Sequence, residues 1–587
     1  MKKHGFAFLS NSMTSAMESH GEIIWFPAPR FDSESLFSKM LDDERGGHFS
    51  LRPVDWCTDN AAYIGNSLVL KSIFTTAKGA LEVIDFLPPG LPAIIRMFKS
   101  DVPFIAEIKP RFNYGELTPI VTEHEDGISF RNTKSVESFD VRIFGKYKKI
   151  SDDTLRFNGG EGYLLSMYAE DFRQGLFSNR GFVYPNPKES LATTLNYWES
   201  QLAEVMRVKS FKEAYYRSLA VVMGLTYAAS GGIMAAATTS MPTMIGGNWN
   251  WDYRYVWTRD TSYAAAALAK VGAFSRARRT LNFLLSLIDL SSKSFDRPLY
   301  RVDGTAAPVE MQIPWLKGHL NSRPVRVGNT AWDQIQMDTE GEFVEALYTY
   351  YRMSGDIGYV RGAMWALDAI AEWCKGSWRK KSTSLWEERG EQQHFVYTKL
   401  MNWLALERIS RLNMALGRED KAVELKKVGE AIRRDILERG FSRKLNSFVK
   451  YYGSSEVDSS LLNILLCGFL GPEDKRVIGT IKLVKARLAS KSGLLLRTEN
   501  DYEGRDSRPF TLINTWLARA YIMMGDMDMA KKTLNGLLNY STSLLLFSER
   551  ADEVTKDPLG NFPQLFTHAG IIEAVAEYED PSLCQKV

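Results

Sequence analysis

Three short clusters in this chain of 587 residues bring together side chains that can break polar bonds. Glu387 and Glu388 are adjacent carboxylates directly after Trp386, in the run Leu-Trp-Glu-Glu-Arg-Gly at 385–390. Like charge and an apolar neighbour both favour the protonated form of one of them, which is what a general acid requires. Glu549 follows the apolar run 544–547, so its carboxylate can be anchored rigidly and aimed at a water. Residues 249–260 read Trp-Asn-Trp-Asp-Tyr-Arg-Tyr-Val-Trp-Thr-Arg-Asp. Their flat aromatic faces with polar edges suit sugar rings, and Arg259 with Asp260 supplies fixed donors and acceptors for hydroxyls. Each cluster also has a purely structural reading. The first is a solvated acidic loop paired with Arg389, the second a surface glutamate paired with Arg550, and the third a helix entrance with Asp260 as N-cap and the aromatics as core.

Other chemistries lack their signatures. No HExxH or Cys/His grouping calls for a metal, and His394 and His568 read as core histidines before they read as ligands. Phosphate loops, dinucleotide fingerprints and the GxSxG elbow are missing. Lys+Arg of 73 against Asp+Glu of 70 leaves +3, too little for a nucleic-acid footprint, so the expected partner is neutral. Cys57, Cys374, Cys467 and Cys584 are widely spaced and read as reduced, mostly buried thiols. The start has too short an apolar patch for a signal peptide, and the longest apolar run, 461–470, is well short of a membrane span. A cytoplasmic protein without membrane partners is expected.

The elements that must position these clusters fall into two textures. Residues from about 20 to 185 are written as short extended runs, such as 80–87, 105–112 and 136–150, with turn chemistry at Asp126-Gly127 and Asn158-Gly159-Gly160. Many short strands without intervening helices predict an antiparallel sandwich. After Pro185-Asn186-Pro187 a helical pattern begins, with Leu191, Leu195, Trp198 and Leu202 on one face. From about 209 onward, helix, Gly-bearing turn and helix recur: 263–271 with 274–288, 342–353 with 357–373, 398–416 with 420–436, and 512–524 with 527–538. Stacked helical hairpins are the expectation, as an open solenoid or a closed ring. Long aromatic-rich inserts favour a closed barrel with a site at its loop end. The expected organisation is a sandwich over 1–186, a linker helix over 187–208 and a barrel over 209–587.

At these clusters the chain resembles glycoside hydrolase family 15, the group of glucoamylases, trehalases and glucodextranases. The resemblance runs over nearly the whole chain: 9–17 and 24–32, then 252–260, 322–329, 336–338 with Gly341-Glu342, 386–390, 394–399 and 560–568, in family order. The N-terminal stretch looks like the trehalase-type domain. Two positions depart from the family's frequent pattern, Thr261 after Arg-Asp and the second glutamate, Glu388, after Trp-Glu.

The resemblance implies a multidomain chain, an N-terminal antiparallel β-sandwich followed by an (α/α)6 barrel, without metal or organic cofactor. It implies Glu387 as general acid and Glu549 as general base of an inverting hydrolysis. Arg259 and Asp260 would hold the terminal glucose, Tyr253, Trp257 and Trp386 would shape its pocket, and Glu388 would bind a sugar hydroxyl. Inversion places the two carboxyl groups about 6.5–9.5 Å apart, whereas retention needs about 5 Å. The expected ligand is a small α-glucoside or an oligosaccharide. Trehalose leads, with malto-oligosaccharides or starch next. An inverting phosphorylase would need a phosphate pocket in place of Glu549, and a sugar-binding protein would bind without turnover.

Overall fold

The computed structural model describes residues 5–55, 58–178, 186–388, 390–500 and 508–584. Cys57, Pro185 and Arg389, named above, lie outside the described residues, as does the very start of the chain.

The N-terminal part is two antiparallel sheets of eight strands each. One runs in the order Ala7–Ser10, Ser15–Ser19, Glu22–Pro27, His48–Pro53, Phe104–Lys109, Thr154–Phe157 and Tyr147–Ser151, with Ser35–Phe37 paired to the third strand. The other runs Ile120–His124, Gly127–Arg131, Ser138–Phe144, Gly160–Ala169, Ala93–Ser100, Gly79–Phe86, Leu70–Thr76 and Thr58–Tyr63. Alternation explains the layering. In Phe104–Lys109 every second residue is buried, so one face meets the opposing sheet. Phenylalanines weld the faces together. Phe98 of the second sheet meets Phe104 of the first at 4.9 Å, and Phe37 meets Phe139 edge-on at 5.4 Å.

The strand expectations hold with two adjustments. The run 105–112 ends as a strand at Lys109, because Pro110 has no N–H for the ladder. The run 136–150 is two strands, Ser138–Phe144 and Tyr147–Ser151, which belong to different sheets.

Helix α1, Pro187–Gln201, starts with proline in its first turn and Asn186 accepting from the Lys188 N–H. Its buried face is Pro187, Ser190, Thr194, Trp198 and Gln201, whereas Leu191, Leu195 and Leu202 are only partly buried. The apolar stripe read from the sequence lies on the packed side, with Trp198 buried at its centre and the leucines at its edge against the core, while Ser190 and Thr194 fill the closest approach.

The rest is a ring of helices. The inner ring consists of α2 (Thr258–Lys270), α3 (Thr339–Ser354), α4 (Val396–Ala415), a short turn of helix at 459–466, α5 (Thr511–Met523) and α6 (Leu565–Glu579). Each packs on the next, and α6 packs back on α2, so the ring closes. The outer helices, among them Phe274–Ser286, Glu419–Asp435 and Met527–Leu538, fold back on inner ones as hairpins. Helix α2 carries buried Ala264, Ala265, Ala266, Ala267 and Ala269, and these small side chains let both ring neighbours approach closely. Among the described residues no helix is long and apolar enough to cross a membrane.

Candidate active site

Loops at one end of the ring carry the clustered residues. The strand Val256–Trp257 pairs with Leu299–Tyr300 and runs directly into α2, which places Arg259 and Asp260 in that helix's first turn. Trp257, and not Asp260, holds the N-cap position. Glu549 lies just before a small hairpin, Arg550–Ala551 with Pro558–Leu559. Its carbonyl accepts from the N–H and hydroxyl of Thr511 at the start of α5 (3.1 and 3.0 Å). The preceding Phe547 is clamped as well: its carbonyl accepts from the Gln564 N–H at 2.9 Å, and its N–H donates to His568 Nε2 at 3.1 Å. His568 is therefore a buried, satisfied core histidine, whose other ring nitrogen meets the Ser218 hydroxyl at 3.0 Å.

Two adjoining cavities open here. The inner one, about 60 Å³, is lined by Tyr253, Trp257, Arg259, Asp260, Trp386, Glu387 and Glu549, together with Arg497, Phe510 and Gln564. The outer one, about 290 Å³, shares Tyr253, Trp386, Glu387, Arg497 and Glu549, and adds Glu388, Trp249, Trp251, Arg326, Asn329 and Arg550. All eight candidate residues touch one cavity or both, and Glu388 touches the outer one alone.

Glu387 is held through one oxygen. Its Oε1 accepts from Trp257 Nε1 (2.8 Å), Arg259 Nη2 (3.0 Å) and Gln336 Nε2 (3.1 Å). Three donors on Oε1 leave Oε2 as the atom able to carry and deliver a proton. The backbone of Glu387 is left-handed, with φ 57°. Such strain persists only where surrounding contacts over-determine it, and it gathers at functional sites. The side chain keeps 23% of its surface exposed, toward the cavities.

Glu549 is buried to 5% exposure, which rules out a solvated surface glutamate. Its Oε1 accepts from the Tyr253 hydroxyl at 3.0 Å. The Tyr253 hydroxyl is pushed far above its ordinary pKa by burial and by Glu549 and Glu387, so it remains a neutral donor. Gly560 lies against the other oxygen: a β-carbon there would sit 2.8 Å from Oε2.

Beneath the inner cavity a buried cation faces several carboxylates. Arg259 Nη1 donates to Gln336 Oε1 at 2.7 Å and lies 3.7 Å from Asp338, and its Nε lies 3.8 Å from Asp260. Burial pushes the Asp260 carboxyl up to about 7, against the pull of Arg259. Asp338, at the N-cap of α3, and Glu342, in its first turn, are likewise raised, chiefly by burial. Tyr397 donates to Glu342 at 2.6 Å. The site thus keeps Arg259 charged, while burial shifts the neighbouring carboxyls toward their protonated forms.

On the outer side, Glu388 pairs with the buried Lys450 at 2.7 Å, and Trp386 donates to Asp458 at 2.9 Å. The partner of Glu388 is a lysine 62 positions away, and sequence spacing carried no sign of it. Asp458 and Arg497 come from loops without motif character, and only the folded ring brings them to the site, whereas Arg326 and Asn329 stood within the family-order segment 322–329, without assigned roles. Gln336, Asp338 and Glu342 stood within the family-order segments, without assigned roles. Thr261 donates to the Ile233 carbonyl at 3.1 Å, away from both cavities. Among the described residues no group of three His, Cys, Asp or Glu is arranged to hold a metal.

The model of glycosyl hydrolases family 15 matches residues 209–576, and the model described as trehalase-like, N-terminal matches residues 4–148. Trehalase 2 of Sulfolobus acidocaldarius is 44% identical, over 98% of this chain and 99% of that protein. The trehalase of Thermoplasma acidophilum is 30% identical over 96% of this chain and 98% of its own length. A bacterial glucoamylase solved in complex with acarbose superposes with a TM-score of 0.76 at 12% identity, covering 100% of this chain and 97% of that one. At that identity the likeness establishes a shared fold, a sheet domain followed by a helical ring.

Proposed function

The chain belongs to glycosyl hydrolases family 15, and from that premise we propose that it hydrolyses the α-glucosidic bond of trehalose with inversion, through Glu387 and Glu549. The observation that carries this reading is that two glutamates from distant segments line the same pair of cavities, each fixed by its own donors. In the proposed mechanism one glucose ring occupies the inner cavity, gripped by Arg259 and Asp260 and bounded by Tyr253, Trp257 and Trp386. The second ring lies in the outer cavity against Glu388.

Glu387 Oε2 protonates the bridging oxygen as the bond to the anomeric carbon lengthens. Glu549 takes a proton from a water that attacks that carbon from the opposite face. Tyr253, which donates to Glu549 Oε1, directs the base. The products are one glucose of inverted β configuration and one leaving glucose. A carboxyl separation of about 6.5–9.5 Å accompanies this geometry.

Trehalose is favoured because relatives aligned over nearly their full length bear the name trehalase. The outer cavity is the larger of the two, which keeps malto-oligosaccharides as the second reading. Purified protein offered trehalose, maltose, isomaltose and starch tests both. Fastest glucose release from trehalose supports the proposal, and preference for maltose or starch replaces it. Sugar release that depends on added phosphate would indicate a phosphorylase, and binding without release would indicate a sugar-binding protein.

A further inference from the structure

The residue that contacts the proposed base is flanked by an ion pair anchored in the other half of the molecule. Asp252 and Arg254, on either side of Tyr253, are both fully buried. Arg254 Nε donates to Asp252 Oδ1 at 2.9 Å and Nη2 to Oδ2 at 2.7 Å, a two-point pairing of fixed orientation. Two further guanidinium hydrogens point into the sandwich. Nη1 donates to the Ser33 carbonyl at 2.7 Å, and Nη2 also meets the Tyr114 hydroxyl at 3.0 Å. Tyr114 in turn donates to the same Ser33 carbonyl at 3.3 Å, so its one proton and its acceptor role are both committed. The guanidinium carbon lies 5.5 Å from the rings of Trp25 and Tyr114. Trp25 itself donates to the Ala237 carbonyl of the barrel at 2.9 Å.

Asp252 extends the connection further. Its Oδ2 accepts from the Gly328 N–H at 3.2 Å, and its carbonyl accepts from the Asn329 side chain at 3.1 Å. Asn329 lines the outer cavity.

We propose that Tyr114, acting through Arg254 and Asp252, is a positioning residue that sets the Tyr253 hydroxyl against Glu549, so that the sandwich takes part in the hydrolytic step. This rests on the reading of Glu549 as base. Tyr114 is absent from the lining of both cavities, so its effect passes through Tyr253 and leaves sugar binding nearly intact. A carboxylate deprived of a hydrogen-bond donor ionises at higher pH.

The test is Tyr114→Phe in the full chain, with kcat and KM measured across pH. The expected result is a fall in kcat of about tenfold or more with KM within about twofold, and an acidic limb of the kcat/KM profile displaced to higher pH. Tyr253→Phe and the double variant complete a cycle: Tyr114→Phe should cost nothing further once Tyr253→Phe is present. Phe104→Leu, in the sandwich core away from the clamp, should leave kcat unchanged. If Tyr114→Phe fails to fold, Trp25→Phe takes its place with the same expected drop in kcat. Unchanged kcat in the folded variant, or two effects that multiply, overturns the proposal. Glu549→Gln assayed in parallel separates the premises. An inactive Glu549→Gln beside an unaffected Tyr114→Phe rejects the clamp alone, and an active Glu549→Gln rejects the base.

Discussion

Gly560→Ala places one methyl group against the proposed base. Gly560 has φ +78°, and an added β-carbon would stand 2.8 Å from Glu549 Oε2, 3.1 Å from Glu549 Cβ and 3.6 Å from Thr243 Cγ2. Non-bonded atoms of this kind rest at roughly 3.5 Å, so the carboxylate must retreat by about 0.5 Å or more. The left-handed backbone adds about 1–2 kcal/mol of strain for a residue with a side chain. The sugar-gripping groups Arg259, Asp260 and Trp386 are untouched, so KM should stay within about threefold. Displacement of the base by a fraction of an ångström should lower kcat by about 10–100-fold, a barrier increase of about 1.4–2.7 kcal/mol. Gly355→Ala is the control. Its φ is +73° with nothing within 4 Å of an added β-carbon, so it carries the same strain without the clash. Initial rates of glucose release from both variants give the comparison. A Gly560→Ala enzyme with kcat within about twofold of the parent, or one no slower than Gly355→Ala, would refute the placement of Glu549 as base.

Glu388→Gln leaves both proposed catalytic carboxyls in place and weakens the outer-cavity contact held by Lys450. It should raise KM for trehalose about tenfold with a smaller change in kcat, and steady-state kinetics checks the split. Lys450→Met should reproduce that KM effect, since it removes the cation that aims Glu388. Glu18, buried in the sandwich, is pushed up to about 8 by burial and by Asp85, with Arg96 opposing. Its folded pKa lies above the unfolded one, so its contribution is fully present below about pH 4.5 and is lost as pH rises toward 8. The denaturant midpoint should therefore fall between pH 5 and pH 8, and Glu18→Gln should flatten that slope. An unchanged slope would count against the buried, protonated Glu18.

Periodicity was enough to read the helical hairpins and most strands, because each buries one regular face. On α1 the stripe of Leu191, Leu195, Trp198 and Leu202 packs as its spacing implies, but the small polar Ser190 and Thr194, buried beside Trp198, carried no apolar signal. The two-sheet division at Gly145 was equally hidden, since a strand run carries no label for the sheet it joins. At the site, the motif-bearing residues Trp257, Arg259, Trp386 and Glu387 were legible because they sit in compact, unusual runs. The groups that tune them were not. Lys450, Asp458 and Arg497 are ordinary residues of separate loops, and their roles exist only after ring closure. The left-handed backbone of Glu387 likewise depends on tertiary contacts, as nothing in Trp-Glu-Glu favours φ 57°. Tyr114 lay outside every cluster considered, although it reaches across to Arg254 in the barrel.

In the proposed mechanism Glu387 and Glu549 act on opposite faces of one anomeric carbon. Proton NMR of the first glucose formed from trehalose tests it directly, if recorded faster than the anomers interconvert. Inversion predicts equal initial amounts of β-glucose, from the attacked ring, and α-glucose, from the leaving one. Initial appearance of α-glucose alone would contradict the account.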